Sequence, residues 1–301
     1  MPELPEVETI VRALRDGGRG GEPLPGRQIL GARISWERTL AEPKAAQFLA
    51  RITGQTVRSV ERRGKFLLLP LTNDSLLIHL RMSGDLRVDI VQEGAEEENL
   101  KPHDRVLIWL QDGLRLAFND PRKFGRMWLV ADSAEVLANL GPEPLSESLT
   151  AETFHQRLVS KKRQLKPLLL DQSFLAGMGN IYTDEALHMA RLHPLMSSDT
   201  LNVEQAEVLL NAIRNVLKEG IRRNGASIDW VYRGGEFQND FRVYQRTGEA
   251  CQVCGQQVPH PHSVAPPFLS GWTRSLPPMP RQQNRRSQKP TPRAIYSLEM
   301  A

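Results

Sequence analysis

A proline and a glutamate at the very start of the chain are the residues best suited to chemistry. The sequence opens MPELPEVETI, and a second residue as small as Pro2 generally permits removal of the initiator methionine. The mature chain would then begin with a secondary amine, whose pKa of about 8 leaves a sizeable neutral fraction at physiological pH. A neutral amine forms Schiff bases with carbonyl-like carbons, and Glu3 is placed to move the protons. Many proteins begin Met-Pro without such chemistry, so an ordinary helix start is the alternative.

An amphipathic helix must hold this terminus in place. Pro5 suits the first turn of a helix, where its missing N–H has no partner to lose. Gly17 and Gly18 end the pattern. The apolar residues at helical spacing are Val7, Ile10, Val11 and Leu14. The pattern explains the segment from Pro5 onward but leaves Pro2 and Glu3 unexplained.

Three later loops combine cations with apolar tips. RRGKFLL carries Lys65, HLRMSG carries Met82, and FNDPRKFGRM places Arg122 beside Phe124. Cations gathered on one face hold phosphates. Met, Arg and Phe at loop tips are the residue types that wedge into a duplex and replace an extruded base. Each loop alone is equally typical of a solvated hairpin tip, but the three together favour a nucleic-acid interface.

A glycine-rich turn before a predicted helix is a second candidate for phosphate binding. In LAGMGNIYTDEAL, Gly177 and Gly179 let the backbone approach a ligand closely, and Asn180 opens the helix. A helix N-terminus fronted by glycines binds phosphate, and Lys166 lies shortly before it. The alternative is an ordinary helix–loop–helix with Asn180 as its N-cap.

Two kinds of periodicity divide the chain into a β-rich part and a helical part. Short runs rich in β-branched and large apolar residues fill residues 28 to about 130, with turn signals such as Asp112-Gly113 between them and an acidic insertion at 93–104. From about residue 147 the period becomes helical. The segments predicted there are a helix from Thr150 to Leu158, helices in LKPLLLD, NIYTDEALHMARL and NVEQAEVLLNAIRNVLKEGIRRNG, a loop in GASIDWVYRGGEFQNDF, and a strand and turn in FRVYQRTGEACQVCGQQV.

Composition sets the broad class of protein. The 301 residues suffice for two domains, and 40% hydrophobic with 25% charged residues is ordinary for a globular protein. No apolar run approaches a membrane span and no signal-peptide core is present, which predicts a cytoplasmic protein without membrane partners. The net charge of +4 is uneven, since residues 271–301 hold six cations and one acid, which leaves −1 for the rest. Local clusters, not bulk charge, therefore carry the argument for nucleic-acid binding.

The quoted motifs, in this order, resemble formamidopyrimidine-DNA glycosylase. They are PELPEVE, RRGKFLL, HLRMSG, NDPRKFG, KPLLLDQSFLAGMGNIYTDEAL and FRVYQRTGEACQVCG, and the resemblance covers about residues 1 to 258. Leu4 is typical of the oxidised-purine branch, whereas the related endonuclease VIII branch usually has Gly there.

The resemblance implies a bifunctional base-excision repair enzyme for 8-oxoguanine opposite cytosine and for ring-opened purines. Pro2 would attack C1′ of the damaged nucleotide, and the resulting iminium would undergo β- and δ-elimination, which leaves a one-nucleotide gap. Glu3 would act as general acid/base, Glu6 would support the site, and Lys65 would contact the phosphate beside the lesion. No cofactor is expected for the chemistry itself.

The resemblance also implies a set of DNA contacts. Met82, Arg122 and Phe124 would fill the void and hold the orphaned base. Lys166 and Asn180 would grip phosphates, and the loop near 225–238 would cover the flipped base. His103 is assigned to the same DNA-binding set. The partner is double-stranded DNA with oxidised purines or abasic sites, and a monomer is expected.

By the same resemblance the fold is α+β in four parts. An antiparallel β-sandwich flanked by helices would span residues 1–140 and carry the catalytic residues. A helix–two-turn–helix DNA-binding domain would follow at 141–238, and an incomplete β-hairpin finger at 239–262. Residues 263–301 form a Pro/Arg-rich tail predicted to be disordered, because nine of the 21 prolines lie in the last 43 residues.

The finger is where the chain departs from the family. Relatives carry two CxxC pairs that bind zinc, but this chain has only Cys251 and Cys254. A structural zinc site needs four ligands, so zinc is expected from the family but lacks two of its usual ligands. His260 and His262 could complete a Cys2His2 set. Two explanations stay open for the altered end, a zinc-free finger and a frameshift near residue 259, and the abrupt change in composition favours the frameshift.

The altered finger leaves a second class of function open. The chain could be a catalytically impaired or non-catalytic protein that binds damaged DNA through the same basic face. Retention of Pro2, Glu3 and Glu6 favours chemistry.

Overall fold

A helix opens the chain and a series of strands follows it, as the sequence predicts. The computed structural model describes residues 1–92, 100–227 and 234–258. Helix α1 (Leu4–Asp16) has Pro5 in its first turn and Gly17 as its C-cap. The strands that follow are β1 (Ile29–Ile34), β2 (Leu40–Glu42), β3 (Glu61–Arg63), β4 (Phe66–Pro70), β5 (Ser75–His79), β6 (Asp85–Ile90), β7 (Asp104–Leu110), β8 (Leu114–Asn119) and β9 (Arg126–Val130). A helix that the sequence analysis missed, α2 (Ala45–Ile52), lies between β2 and β3.

The strands form two sheets that enclose one apolar core. Their orders are β1-β7-β8-β6 and β2-β9-β5-β4-β3. The pairings are antiparallel except between β2 and β9, which run parallel. Asp112 and Gly113 join β7 to β8 with φ of 60° and 67°, which is typical of a tight hairpin turn. The predicted β-sandwich is thus confirmed, with one parallel pair.

The helical part of the chain follows the predicted order closely. Its helices are α3 (Ala134–Leu137), α4 (Ala151–Val159), α5 (Leu165–Leu170), α6 (Asn180–Ala190) and α7 (Val203–Arg222). Thr150 caps α4 by accepting a hydrogen bond from the Thr153 N–H at 3.2 Å, and Asn202 caps α7 in the same way through Gln205. Helix α6 ends before the predicted His193-Pro194 because Arg191 adopts the left-handed conformation, with φ of 58°.

Helix α1 lies between the two hydrophobic cores and belongs to both. Leu4 is fully buried in the core of the helical part. Val7, Ile10 and Val11, one turn and more further on, are buried in the core of the β-sandwich. The helix also packs against α7 and β3. The start of the chain is therefore fixed by both halves of the fold.

The segment after Phe241 differs from the prediction. In the described residues up to Val258 it forms turns and no strand, with a single antiparallel bridge between Ala250 and Gln257. Hydrogen bonds to a buried carboxylate, that of Glu185, replace strand pairing over residues 242–244. Residues 93–99 of the acidic insertion, residues 228–233 of the loop near 225–238, all of the tail, and His260 and His262 lie outside the described residues.

No helix in the described ranges is both long and apolar enough to cross a membrane.

The position of Leu4 predicts a large loss of stability on truncation. Leu4→Ala removes a fully buried side chain from the helical core, and we expect a loss of about 2–4 kcal/mol in the free energy of unfolding. Urea denaturation followed by circular dichroism measures it. Val203→Ala is the control, because Val203 is 44% exposed, and a loss as small as that of the control would contradict the placement.

Candidate active site

The first residues of the chain are buried rather than frayed. Met1 is 45% exposed, whereas Pro2 and Glu3 are buried. The Leu4 N–H donates to the Gly177 carbonyl at 3.1 Å, which fastens the terminus to the loop before α6. The nitrogen of Pro2 is still part of the Met1–Pro2 peptide bond in this structure, so its amine becomes available only after Met1 is removed.

The Glu3 carboxylate lies at the N-terminus of helix α6. It accepts hydrogen bonds from the N–H groups of Ile181, at 3.0 Å, and Tyr182, at 3.4 Å. These donors have no partner within the helix, and the helix dipole also favours a negative charge at this end. A Cβ at position 179 would lie 2.2 Å from the Glu3 carboxyl carbon, so only glycine permits this approach.

The Glu6 carboxylate connects three parts of the chain. It accepts hydrogen bonds from the Glu3 N–H at 2.7 Å, the Tyr182 hydroxyl at 2.6 Å and the Ala226 N–H at 2.8 Å. A Cβ at position 225 would lie 2.7 Å from its Oε1, and φ there is +80°, so Gly225 suits both the space and the backbone. Glu6 thereby holds the chain terminus against α6 and the start of the loop at 225–238.

Lys65 is the cation of this site. It occupies the turn between β3 and β4 and is only 5% exposed. Burial lowers the pKa of its ammonium, and the carboxylates of Glu3 and Glu6 act in the opposite direction. Glu143 holds this turn by accepting hydrogen bonds from the Gly64 N–H, at 2.5 Å, and from the Arg62 guanidinium.

Burial raises the pKa of Glu3 from 4.5 to about 7, despite the opposing effects of Lys65 and of the N–H groups of Ile181 and Tyr182. Glu6, a second carboxylate, adds to the increase. A carboxyl group with a pKa near neutrality can both donate and accept a proton at physiological pH, as general acid–base catalysis requires.

Four of the predicted DNA contacts lie at exposed loop tips of the β-sandwich. Met82 is 42% exposed and Phe124 is 49% exposed, and Arg122 and His103 are also exposed. The guanidinium of Arg122 lies 5.3 Å from the centroid of the Phe124 ring, in a cation–π contact.

The residues predicted to hold phosphates differ in their surroundings. Asn180 is the exposed first residue of α6, with Gly179 rather than Asn180 as the N-cap. The Lys166 ammonium pairs with Asp184 at 2.8 Å. Arg62 and Arg63, which the sequence analysis counted among the basic loops, pair with Glu143 at 2.9 and 3.1 Å. These three cations are therefore engaged within the protein in this structure.

The two cysteines lie close to a histidine that the sequence analysis did not consider. The Cys251 thiol lies 3.6 Å from His188 Nε2, and Cys254 is exposed. No group of three metal-binding side chains occurs within the described ranges. Of the residues predicted for zinc, the structure therefore describes Cys251 and Cys254 only, and they do not form a metal site with their described neighbours.

The structure also identifies two neighbours of the site to which the sequence analysis assigned no role. Tyr182 stacks on Phe237, with ring centroids 5.1 Å apart, and orients its hydroxyl toward Glu6. Glu185 accepts hydrogen bonds from three consecutive N–H groups, those of residues 242–244. Both residues lie within the motif NIYTDEAL, but only the fold shows which atoms they contact.

Comparison with known proteins agrees with this architecture. Residues 1–127 match the family model of the formamidopyrimidine-DNA glycosylase N-terminal domain, and residues 140–231 match that of its H2TH domain. The chain is 40% identical over 267 residues to the formamidopyrimidine-DNA glycosylase of Protochlamydia amoebophila, which covers 86% of this chain and 93% of the relative. It is 43% identical over 263 residues to that of Chloroflexus aggregans, with 84% and 91% coverage.

Solved structures agree with the sequence relatives. The Lactococcus lactis protein in complex with DNA containing N7-benzyl-Fapy-dG matches with a TM-score of 0.76 and 32% identity, over 85% of this chain and 93% of that one. A complex with DNA containing carbocyclic 8-oxo-G matches with a TM-score of 0.76 and 32% identity, over 85% and 92%.

Fold and site together define a DNA glycosylase, with a β-sandwich joined to a helix–two-turn–helix domain. Within that class, the chain belongs to the formamidopyrimidine-DNA glycosylase family, which excises oxidised purines in base-excision repair.

The pKa of Glu3 predicts how stability changes with pH. The unfolded chain releases this proton near pH 4.5 and the folded chain near pH 7, so the folded state binds more protons in between and stability falls as pH rises through that window. Glu3→Gln abolishes this loss, and between pH 4.5 and pH 8 we expect the variant to gain about 2–3 kcal/mol relative to the wild type.

Urea unfolding across this pH range tests the prediction. An N-terminally tagged chain keeps Met1 in place, as in the structure. Glu207→Gln on the exposed face of α7 is the control. Parallel pH profiles for Glu3→Gln and wild type would show that Glu3 ionises at an ordinary pKa.

Proposed function

We propose that this chain removes oxidised purines from double-stranded DNA through a Schiff base on Pro2 and then cleaves the strand as an abasic-site lyase. One observation carries the proposal: a carboxyl group with a pKa of about 7, that of Glu3, is held next to buried Pro2 by the N-terminus of α6. A nucleophilic amine next to a general acid/base is the pairing that imine chemistry requires.

The proposed reaction begins after hydrolysis of the Met1–Pro2 bond frees the amine. Its lone pair forms a bond to C1′ of the damaged nucleotide, while the C1′–N bond to the base breaks and the base leaves with the electron pair and takes up a proton. Breakage of the C1′–O4′ bond then gives an iminium between Pro2 and C1′. Glu3 supplies and removes the protons at the sugar.

Two eliminations complete the proposed strand cleavage. Loss of a C2′ proton breaks the C3′–O bond, and a second elimination breaks the C5′–O bond, so that a one-nucleotide gap remains. Lys65 contributes a positive charge near the reacting sugar and contacts the phosphate beside the lesion. The carboxylates of Glu3 and Glu6, which favour the charged form of this buried ammonium and oppose the effect of burial on its pKa, support this role.

The proposed substrates are 8-oxoguanine opposite cytosine and ring-opened purines. The solved complexes contain such lesions in their DNA. The exposed side chains of Met82, His103, Arg122 and Phe124 would contact the duplex at the lesion, and Asn180 would bind a phosphate. Lys166 would need to exchange its pairing with Asp184 for a phosphate. The expected monomeric state and cytoplasmic location remain predictions.

A second candidate, a protein that binds damaged DNA with impaired or no catalysis, follows from the altered finger. Among the described residues, only Cys251 and Cys254 remain of the ligands expected for the zinc of this family, and no third ligand lies with them. A weakened finger would reduce the affinity for duplex DNA while the nucleophile stays intact.

Borohydride trapping distinguishes the two candidates. Wild-type protein, with removal of Met1 verified by intact mass, should form a covalent adduct with an 8-oxoguanine duplex, because borohydride reduces an imine to a stable amine. Glu3→Gln should reduce the yield by about 100-fold or more, and Pro2→Gly tests the nucleophile. Glu207→Gln should match wild type.

The negative outcomes are also informative. An adduct only with a pre-formed abasic strand at high protein concentration would indicate intact chemistry with weak DNA binding. No adduct with either substrate would refute the imine mechanism and favour the non-catalytic binder.

Zinc content tests the finger separately. We expect the purified chain to hold well under one zinc per molecule, because four ligands are needed and the described residues provide two. Elemental analysis of wild type and of His260→Ala/His262→Ala measures it. Near-stoichiometric zinc that is lost in the double variant would instead establish a Cys2His2 site.

A further inference from the structure

A buried carboxylate, that of Asp120, lies beneath the exposed tips that carry the predicted wedge residues. Asp120 follows β8 and has no exposed surface. Its Oδ1 accepts hydrogen bonds from the Ser83 hydroxyl and from the Arg122 N–H, the latter at 3.2 Å. Its Oδ2 accepts from the Gly125 N–H at 2.7 Å. One side chain thus joins the loop of Met82 to both ends of the loop that carries Phe124.

The backbone of Asp120 joins the third loop to the same point. Its N–H donates to the His103 carbonyl at 3.0 Å. Its carbonyl accepts from Arg105 Nε at 2.8 Å, and the same guanidinium lies 3.2 Å from His103 Nδ1. Arg122 and His103 therefore hydrogen-bond to Asp120 directly. Met82 and Phe124 are each adjacent in the chain to a residue that does so, Ser83 and Gly125.

Each of the three loops contains a residue in an unfavourable backbone conformation. Arg81, His103 and Lys123 have φ of 54°, 77° and 63°, in the left-handed region that disfavours residues other than glycine. Such conformations persist only where surrounding contacts fix them. The Nδ1 of buried His79 accepts a hydrogen bond from the Arg81 N–H at 3.0 Å. Two residues further on, Asp120 accepts a hydrogen bond from the Ser83 hydroxyl.

We propose that Asp120 is a positioning residue that fixes the wedge residues relative to one another, so that Met82, Arg122 and Phe124 enter the duplex as one preformed unit. The inference rests on the proposed function, since it assumes that these tips fill the space left by the lesion. Side chains that must insert between stacked bases act only when they are held within a fraction of an ångström. Asp120 touches no DNA in this account and acts through the loops.

Asp120→Asn is the variant that tests this role. An amide has one acceptor oxygen in place of two, so a buried donor from Ser83, Arg122 or Gly125 loses its partner. For excision of 8-oxoguanine at limiting enzyme concentration, we expect kcat/KM to fall by about tenfold or more. The preference for cytosine over adenine opposite the lesion should weaken. Cleavage of an abasic site in single-stranded DNA, which needs no wedge, should stay within about twofold of wild type.

Asp112→Asn is the matched control. Asp112 also has a positive φ, of 60°, in a turn of the same sheet, but it is exposed and pairs with Arg27. It should behave as wild type in each assay. Equal losses on the duplex and on the single-stranded abasic site in Asp120→Asn would overturn the inference, because a general structural defect reduces both.

A fluorescence measurement keeps the inference testable without catalysis. 2-Aminopurine opposite a tetrahydrofuran abasic analogue reports unstacking of the orphaned base when the wedge enters. Wild type should raise the signal, and Asp120→Asn should lose most of that rise at saturating protein. An undiminished rise would refute the positioning role. Failure of the proline chemistry would appear separately, as absence of the borohydride adduct in wild type with the fluorescence response intact.

Ser83→Ala covers the case in which Asp120→Asn does not fold, and a double variant adds a test for the case in which it does fold. Ser83→Ala removes only the hydroxyl that links the two loops, and we expect a weaker change with the same substrate pattern. A wild-type response of Ser83→Ala would overturn the inference. Phe124→Ala combined with Asp120→Asn should be no worse than the more impaired single variant, since both act through the same tip. Fully additive losses would contradict this.

Discussion

The burial of two carboxylates at the start of the chain is the constraint on which the rest of this structure depends. Removing a carboxylate from water is costly unless hydrogen bonds or opposite charges compensate it. Glu3 is compensated by the N-terminus of α6 and by Lys65, and Glu6 by the Tyr182 hydroxyl and two N–H groups. The compensation of Glu3 is incomplete, and for that reason its pKa rises to about 7. A chemically useful carboxyl group thus results from a balance between burial and partial neutralisation.

This balance requires both halves of the fold at once. The β-sandwich supplies Lys65 on the turn between β3 and β4, and the helical part supplies the α6 N-terminus and Tyr182. Helix α1 joins them, because Leu4 packs in one core while Val7 and Ile10 pack in the other. Glu143 adds a further link by holding the Lys65 turn through Gly64 and Arg62. A change in the relative position of the two halves would therefore change the electrostatics of the chain terminus.

Helix α6 also anchors a segment near the end of the described chain. Its N-terminus binds Glu3, and one turn further on Glu185 accepts three N–H groups from residues 242–244. The backbone that leads to the CxxC turn is thus anchored from the helical part, before any metal would act. This anchoring explains how the segment keeps a defined course up to Val258, where the described residues form one bridge, between Ala250 and Gln257.

The sequence by itself predicted which groups would react, and it determined most of the helices and strands. Pro2, Glu3 and Lys65 stand in long ordered motifs, and the helices α1, α4 and α7 carry their own capping residues and apolar spacing. Those signals are local, so neighbouring residues suffice to reveal them. Only the tertiary structure decided which atoms meet. It placed Glu3 at a helix 178 residues away in the chain, paired Lys166 with Asp184 and Arg62 with Glu143, and gathered three loops on Asp120. It also replaced the predicted strand after Phe241 by turns, because hydrogen bonds to Glu185 satisfied that backbone. Each of these outcomes depends on burial and on partners distant in sequence, which no local pattern encodes.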